Sequence, residues 1–461
     1  MQKKLLSLVL MLIAAINIFA YDFESNGIYY NILSKENRTC TVTSQPNTTG
    51  KKYTGSIVIP SIVQDNNGED YTVTEIGNYA FMDCVKLQNI VLPNTIQKVG
   101  YCAFQGCILL KNITLPQSVV TVSSNVFKGC ISLEKIELGQ IKEITSGCFN
   151  GCVSLEYIQI PNSVREISGI FDGCSSLKTI SFESGIAKLR FPRYDVFKNC
   201  PLDSIFIGRN FDIYEDTPPL AKSETLKSVF VSDSVTYLSA SLLRDCKNLE
   251  NIYGMNHVDS IGAYCFAGTK IKKFCAPSLR TFGGYGYAFD KCQNLEELVL
   301  GKIVNVSGYW IGDCPNLRNI YIGTELKTIG GESFFENFRG KLYIFSDKLS
   351  KVYYQEAYDK TYTEYGQTKT WHYPAQYGIP PSVEAIYVAS PERYQSLLGK
   401  FYNMKPMLSF EESIVEYSGK TPELTFVNNV DGYDVTFDKS TTPKDAGTYK
   451  TNLDVTFSNK D

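Results

Sequence analysis

Fourteen cysteines and two histidines are the side chains of this 461-residue protein whose types could do chemistry. Grouped cysteines are typical of disulfides or metal sites, and a cysteine with a histidine is typical of a nucleophile. The spacing indicates something else, because nine cysteines follow one another at intervals of 22, 23, 26 or 46 residues. They are Cys84, Cys107, Cys130, Cys152, Cys174, Cys200, Cys246, Cys292 and Cys314. A side chain that returns at one position of a repeat has a structural task there, so we expect packed thiols.

Each of these cysteines belongs to the same apolar pattern, Phe-x-x-Cys-x-x-Leu-x-x-Ile-x-Leu-Pro. Ser223, Thr269 and Asn337 take the place of the cysteine where it is missing, which gives twelve anchors and about twelve repeats. A unit of this length cannot bury its apolar residues alone. It is stable only when neighbouring units stack on both sides and share one core. The period therefore predicts a solenoid.

The elements that must position these residues follow from the pattern within one repeat. In Ile90-Val91-Leu92 the outer two residues alternate inward and the middle one outward, so we expect a short strand in each repeat and one uninterrupted parallel sheet. A second apolar pair, such as Ile96 and Val99, should form an irregular return segment behind the strand. The phenylalanine, here Phe104, then fills the middle of the core.

The order Ile-x-Leu-Pro, Val-x-x-Ile, Ala-Phe and Gly-Cys, as in Ala103-Phe104-Gln105-Gly106-Cys107, resembles the BspA-type leucine-rich repeat family of bacterial surface proteins. The resemblance covers roughly residues 70–345. It implies an extracellular or cell-surface binding protein, often an adhesin, and brings no catalytic residues with it. The predicted fold class is a BspA-type solenoid with one parallel β-sheet and mostly irregular return segments, followed by a partial all-β sandwich-like module.

Five segments follow one another along the chain. Residues 1–20 are predicted to be a signal peptide, 21–72 an N-terminal β-rich cap and 73–345 the solenoid. Residues 346–407 should form a C-terminal cap, and 408–461 a partial immunoglobulin-like β module. The evidence for this last module is strict apolar alternation near its end and an Asp-x-Gly-x-Tyr corner at 445–449.

Composition and the N-terminus indicate the compartment. Lys3 and Lys4 precede an apolar stretch that ends near Ala20, which predicts export and a secreted or cell-surface location. No later segment has the ~20 consecutive apolar residues of a membrane span. The net charge of −3 gives no electrostatic reason to expect nucleic acid.

Export would ordinarily favour disulfides among so many cysteines. Neighbouring anchors should lie about 5 Å apart, within the Cα range for a bridge, so disulfides stay the alternative to thiols. We favour buried thiols, because parallel side chains that point the same way fit the bridge geometry poorly. Serine, threonine and asparagine at the equivalent position also indicate that small size or a weak hydrogen bond is what the position requires.

Motifs for catalysis, cofactors and metals are missing. The two histidines, His257 and His372, lie in no Gly-x-Ser-x-Gly, His-Glu-x-x-His or phosphate-binding pattern. We expect no enzyme, no cofactor and no metal, with carboxylate-only catalysis in the repeat loops as a weak alternative. His372 is either a contact site or part of a packed cap loop. The acidic segment Asp65–Asp70 lacks the glutamate of an EF-hand and predicts a hairpin turn at Asn67-Gly68.

The outward residue of each strand is the best indication of function. It is aromatic in the second half of the repeats, and aromatic side chains are enriched at binding hot spots. The predicted ligand-binding stripe is Phe206, Phe230, Tyr253, Tyr321 and Tyr343. Alternatively, these rings only cover the sheet or are buried by the downstream module. Adhesion to an extracellular protein or polysaccharide of a host or community is the first hypothesis, and a structural or glycan-capture component of the cell envelope is the second.

Overall fold

The computed structural model forms two compact units, Met1–Ser234 and Val235–Asp461. Both are β-solenoids with almost no helix, which confirms the predicted repeat fold. The predicted signal peptide and the 445–449 corner lie outside the described residues, and the five segment boundaries stay predictions. The structure describes residues 21–46, 52–192, 196–197, 199–213, 218–284, 286–330, 335, 338–364, 367–373, 375–377, 379–388, 394–398, 404–406, 408–410, 426–428, 433–437 and 453–459.

In the first unit the Ile-x-Leu segments form parallel strands, which we call front strands. The same repeat position lies opposite in neighbours, so Ile158 pairs with Ile180 and Ile180 with Ile205. Among the described residues no ladder joins the fourth strand to the fifth, so the front sheet is not the single uninterrupted one predicted. The strands are Gly55–Val58, Leu87–Val91, Asn112–Thr114, Lys135–Glu137, Tyr157–Ile160, Thr179–Phe182, Ser204–Ile207 and Ser228–Val231.

The return segments of this unit are more regular than predicted. Their short strands pair in parallel from repeat to repeat, so Val99 lies between Ile76 and Val122 in a second ladder. Stacking like segments at the strand spacing brings their backbone groups within hydrogen-bonding distance, and two residues are then enough for a ladder. These strands are Asp70–Ile76, Lys98–Val99, Thr121–Val122, Glu143–Ile144, Leu189–Phe191 and Phe211–Ile213.

Phenylalanine rings stack along the middle of this core, as predicted. The ring centroids of Phe104 and Phe127 are 5.6 Å apart and those of Phe127 and Phe149 are 5.7 Å apart, with the planes within 4° of parallel. The stack extends to Phe81 on one side and Phe171 on the other. Each ring is fully buried, so the core is continuous from repeat to repeat.

The repeat cysteines lie beside this stack as thiols, buried from Cys84 to Cys174 and half-buried at Cys200. In five of these repeats the Sγ donates a hydrogen bond to the carbonyl oxygen of the phenylalanine one repeat earlier. None of the fourteen cysteines is cross-linked. The pairs in the first unit are Cys107 with Phe81, Cys130 with Phe104, Cys152 with Phe127, Cys174 with Phe149 and Cys200 with Phe171, at 3.1 to 3.2 Å.

Antiparallel strands precede the first repeats. The predicted β-rich cap contains a hairpin, since Ile28–Ser34 pairs with Thr39–Thr43, and Phe23–Ser25 adds a third strand. The predicted turn at 65–70 also joins two strands, Ile62–Gln64 and Asp70–Ile76. There the Asp65 carboxylate accepts the amide N–H groups of residues 67 and 69, at 2.8 and 2.9 Å.

The repeat spacing is irregular after Cys174, and described residues of this region belong to the core. Phe191 ends a strand and is fully buried. Nearby Arg209 is also fully buried, and its guanidinium donates to the carbonyl oxygens of Pro161, Asn162 and Val164 at 3.0, 2.8 and 2.7 Å. Burial lowers the pKa of Arg209 to about 10. Phe191 and Arg209 therefore extend the core into this irregular region.

The second unit has the same two kinds of strand and, in addition, the parallel pair Gly286–Phe289 and Tyr309–Ile311. Its front strands are Asn251–Tyr253, Lys273–Ala276, Glu297–Leu300, Asn319–Ile322, Lys341–Ile344, Ala385–Val388 and Met404–Pro406. Its return strands are Tyr237–Leu238, Ser260–Ile261, Thr281–Phe282, Asn305–Val306, Thr328–Ile329 and Lys351–Val352. One 3-10 turn, Met255–His257, interrupts them.

A long hairpin lies in the stretch that the sequence predicted to be an irregular cap. Tyr358–Glu364 pairs with Gln367–Tyr373, and Tyr354–Gln355 with Gln376–Tyr377. The alternation of threonine and tyrosine around a Tyr-Gly pair is the sequence signal for it. In the predicted C-terminal cap, Tyr394–Leu398 makes one helical turn, in which the Leu398 amide donates to the Tyr394 carbonyl oxygen.

Beyond residue 407 the described chain consists of two antiparallel pairs. Leu408–Phe410 pairs with Phe426–Asn428, and Tyr433–Phe437 pairs with Leu453–Asn459. The module is β-structured, and its immunoglobulin-like identity stays a prediction. No helical turn in the described part of the chain has the length and hydrophobicity that a bilayer crossing requires.

Candidate functional site

Two of the predicted binding residues lie side by side on the front face of the first unit. Phe206 and Phe230 are direct partners in the parallel ladder of Ser204–Ile207 and Ser228–Val231. Their strand neighbours Ile205 and Val229 point inward and are fully buried. Phe206 is half-buried, whereas 42% of Phe230 is exposed. The alternation of the strand therefore places an aromatic pair on the outer surface, as the sequence predicted.

The rest of this outward row has a different chemistry at each end. At the start, Val58 and Val91 are partners in register, with 67% and 50% of their surface exposed. The next repeats carry polar residues, Thr114, Glu137 and Gln159, all of them exposed. The row thus passes from aliphatic through polar to aromatic, and the two ends are separate apolar patches.

Tyr321 and Tyr343, the last two residues of the predicted stripe, are fully buried, so they are not part of an exposed surface. They stack on each other at 4.6 Å between ring centroids, and Tyr343 stacks on Tyr387 at 4.7 Å. Val299, at the same repeat position, is buried too. The front sheet is covered on both faces here, and strands buried on both faces are apolar without alternation. Leu-Val-Leu, Ile-Tyr-Ile and Leu-Tyr-Ile carried this signal in the sequence.

Tyr253, the remaining stripe residue, is 51% exposed in the second unit. It lines a cleft of about 930 Å³ between its own strand and the strand Lys273–Ala276. Lysine, asparagine and glutamate side chains line the same cleft, among them Lys272, Asn256 and Glu250. This cleft was not predicted from the sequence, because its cause is a departure from the repeat pattern at one residue, Gly254.

A second cleft of the same unit, of about 680 Å³, is lined by Arg318, Arg339 and Lys341 together with Asp313 and Glu384. Both arginine side chains are on exposed residues. Cations and carboxylates alternate around this opening without a buried polar group at its centre. It has no aromatic residue, and we assign it no ligand.

Both histidines are exposed residues on the surface. His372 is on the exposed hairpin, where its Nδ1 atom is 2.6 Å from the carboxylate of Asp359. His257 is an exposed residue of the 3-10 turn. Within the described ranges no three histidine, cysteine, aspartate or glutamate side chains are grouped as metal ligands would be. The thiols of Cys84 and Cys130 are poor nucleophiles, because burial raises their pKa to about 11 and about 12.

Comparison with known proteins gives one family and several structures. The sequence matches the model of the BspA type leucine rich repeat region in six copies, over residues 74–203, 194–286 and 219–341. A leucine rich cell surface protein from Faecalibacterium prausnitzii is 20% identical, with a TM-score of 0.36, over 71% of this chain and 93% of its own. A leucine-rich repeat protein from Bacteroides ovatus is 20% identical, with a TM-score of 0.36, over 72% and 99%. The pneumococcal vaccine antigen PcpA is 18% identical, with a TM-score of 0.31, over 84% and 98%. No curated protein is significantly similar to the chain.

Proposed function

Since this chain belongs to the BspA-type leucine-rich repeat family, whose model matches more than half of it, we propose that it is an exported, non-enzymatic binding protein of the bacterial cell surface. Its ligand is an extracellular protein of a host or of a neighbouring cell. The contact is made by the aromatic pair, Phe206 and Phe230, on the front face of the first unit. Adhesion is the role that such a contact serves.

The observation that carries this proposal is the exposure of two adjacent phenylalanines where the fold does not need them. The same outward position holds Glu137, Gln159 and Ser181 in preceding repeats, so polar residues are sufficient for the strand. Water-exposed phenylalanine costs free energy that burial at an interface recovers, at ~25 cal/mol per Å² of apolar surface. Two rigid rings also lose little conformational entropy on binding.

Export is supported by the sequence of residues 1–20. Two lysines, an apolar stretch and a small residue at position 20 form the three parts of a secretory signal. Proteolysis of intact cells tests the location. If the protein is at the surface, added protease removes it while a cytoplasmic marker stays intact. A variant in which Lys3 and Lys4 are replaced and the apolar stretch is disrupted should stay inside the cell.

The binding role is tested with the mature chain, residues 21–461, on a panel of immobilised extracellular-matrix and plasma proteins. The double variant Phe206→Ser/Phe230→Ser should lose binding by at least about tenfold, because both hot-spot rings are removed. The matched control is Val58→Ser/Val91→Ser, which removes the other exposed in-register apolar pair of the same unit. This control should bind as the unchanged protein does.

Circular dichroism and thermal midpoints verify that both double variants are folded. Equal loss of binding in the two double variants would show that Phe206 and Phe230 contribute no more to binding than Val58 and Val91 do. Unchanged binding of the Phe206→Ser/Phe230→Ser variant to a partner that the chain does bind would move the contact to another surface.

A further inference from the structure

The front sheet of the second unit is open at one repeat. Lys273–Ala276 pairs in parallel with Glu297–Leu300, but no ladder among the described residues joins it to Asn251–Tyr253. Burial shows the consequence. From Ile90 to Leu342 the inward residue at the centre of each front strand is buried, with the exception of Ile252, which is half-buried. A gap therefore opens the wall of the solenoid beside Tyr253.

Gly254 explains the gap. Most front strands end in a bulky apolar residue in extended conformation, whereas Gly254 has a φ of 80° and a ψ of 24°. This is the left-handed region, which glycine adopts without the cost that a side chain brings. The chain consequently leaves the sheet one residue early and forms the 3-10 turn Met255–His257, which lies beside Lys273–Ala276. A cleft is thus built into the fold at this repeat.

The walls of the cleft combine one aromatic surface with polar groups that can donate and accept hydrogen bonds. Tyr253 presents half of its surface to solvent. The amides of Asn256 and Asn294 and the carboxylate of Glu250 line the same space. The volume, about 930 Å³, is within the ~300–1,000 Å³ that small-molecule sites occupy. An aromatic surface with several polar side chains around it suits a ligand with apolar faces and polar edges.

Three lysines and two glutamates set the charge of the cleft. The Lys273 ammonium is 3.6 Å from the Glu297 carboxylate, whose side chain is only 15% exposed. Lys270 donates to the Asn248 amide oxygen at 3.0 Å. The exposed Lys272 ammonium takes part in no hydrogen bond or ion pair within the part of the chain that the structure describes. One positive charge is therefore available to a ligand.

We propose that this cleft binds a short oligosaccharide that carries carboxylate groups, such as a chain of uronic acids. One pyranose ring lies with its C–H groups on the ring of Tyr253, because these partly positive C–H groups are attracted to the negative face of an aromatic ring. The hydroxyl groups exchange hydrogen bonds with Asn256, Asn294 and Glu250. A sugar carboxylate pairs with Lys272, and such charge-assisted bonds are about twice as strong as neutral ones.

A peptide strand is the other occupant to consider, since Lys273–Ala276 is the edge of a sheet. Two features oppose it. The 3-10 turn lies beside this strand, Lys272 precedes it and Lys273 is its first residue; lysines and covering elements are how proteins protect an edge from strand addition. The amides and the aromatic ring point to a saccharide instead. The proposal rests on the cleft alone and does not require the aromatic pair, Phe206 and Phe230, to bind a protein.

Isothermal titration of the mature chain with tri-galacturonic acid tests the proposal. We expect one site and at least about tenfold weaker binding of neutral cellotriose, because cellotriose has no carboxylate to pair with Lys272. Triglutamate should not bind, because it has no pyranose ring to lie on Tyr253. Tyr253→Ala should abolish binding of the acidic trisaccharide. Lys272→Ala should weaken it at least about tenfold and remove the preference over cellotriose.

Two matched controls lie outside the cleft. Tyr157→Ala removes another exposed tyrosine, and Lys302→Ala removes another exposed lysine; both variants should bind as the unchanged chain does. Tyr253→Phe keeps the ring and should retain binding, which separates loss of contact from loss of fold. Absence of saccharide binding, equal binding in Tyr253→Ala, or tighter binding of triglutamate would each overturn the proposal. The Phe206→Ser/Phe230→Ser variant should bind the trisaccharide normally.

Discussion

The Cys130 thiol donates a hydrogen bond to the carbonyl oxygen of Phe104, 26 residues earlier in the chain, at 3.1 Å. Both side chains are fully buried. The same oxygen accepts the amide of Cys107 at 3.2 Å, so the thiol adds a contact between repeats to one within a repeat. This bond explains why cysteine recurs at a position where any small apolar residue would fill the space.

Replacement of Cys130 by alanine should lower the free energy of unfolding by about 1–2 kcal/mol, from one lost hydrogen bond and a small cavity. Cys130→Ser should cost less, because the hydroxyl keeps a donor and Ser223 holds the equivalent position in its own repeat. Urea denaturation followed by circular dichroism measures both. A serine variant less stable than the alanine variant would show that the donor is unimportant.

Alkaline pH should destabilise the fold through the buried thiols. Burial raises the pKa of Cys84 from 9.0 to about 11 and that of Cys130 to about 12. A group whose pKa is raised by folding stabilises the native state fully below pH 9, and this contribution is lost as the pH rises through the folded value. A tenfold difference in thiol acidity between the unfolded and the native state corresponds to about 1.4 kcal/mol of stability.

The urea midpoint should therefore be constant from pH 7 to about pH 8.5 and fall steadily above pH 9. Buried tyrosines such as Tyr30 add to the fall, because burial raises the pKa of that phenol as well. The Cys84→Ser/Cys130→Ser variant separates the two contributions, since its midpoint should fall less. An identical slope in the variant would assign the effect to the tyrosines and to the other buried thiols, such as Cys107 and Cys148.

Phe127→Ala should destabilise the first unit by about 3–5 kcal/mol, since the ring is stacked on Phe104 and Phe149 and the cavity cannot collapse. Phe127→Leu should cost less than about 1.5 kcal/mol. The buried Leu243 fills the corresponding place in its own repeat. Thermal and urea midpoints distinguish the two variants, and similar values for both would mean that the aromatic stack matters more than the filled volume.

Arg209→Met should destabilise the first unit by about 2–4 kcal/mol, because it removes the donors for three buried carbonyl oxygens. Amide hydrogen exchange at residues 162–167 should quicken in the same variant. Arg209→Lys should recover only part of the loss, because an ammonium cannot reach three carbonyl groups as a planar guanidinium does. A methionine variant more stable than the wild type would show that burying the charge costs more than its bonds return.

The burial of the repeat positions could be predicted from the sequence, because the same types of residue recur at each position in most repeats. Phe127 and Cys130 have counterparts in most other units, so their burial follows from the period alone. The outward position of Phe206 and Phe230 followed from strand alternation in the same way. Burial and side-chain direction in these cases depend only on one repeat and its stacking neighbours, so the pattern of a single repeat is enough to predict them.

Features that occur once could not be predicted in this manner. Arg209 is charged and would be placed on the surface by composition; only the carbonyl groups around it make its burial stable. Gly254 lies where most other front strands have a bulky apolar residue, and its effect on the sheet depends on its φ angle. The burial of Tyr321 and Tyr343 depends on what covers the outer face, and a strand pattern says which way a side chain points but not what meets it there.

The hydrogen bond from a repeat thiol to the phenylalanine carbonyl of the preceding repeat also affects how the chain can mature and evolve. A disulfide framework must be oxidised in the correct pairs, and the loss or gain of one unit leaves a cysteine over. Here seven units each bring a thiol donor and use an acceptor that the previous unit already has. Such repeats can be duplicated or deleted singly without breaking a disulfide pair.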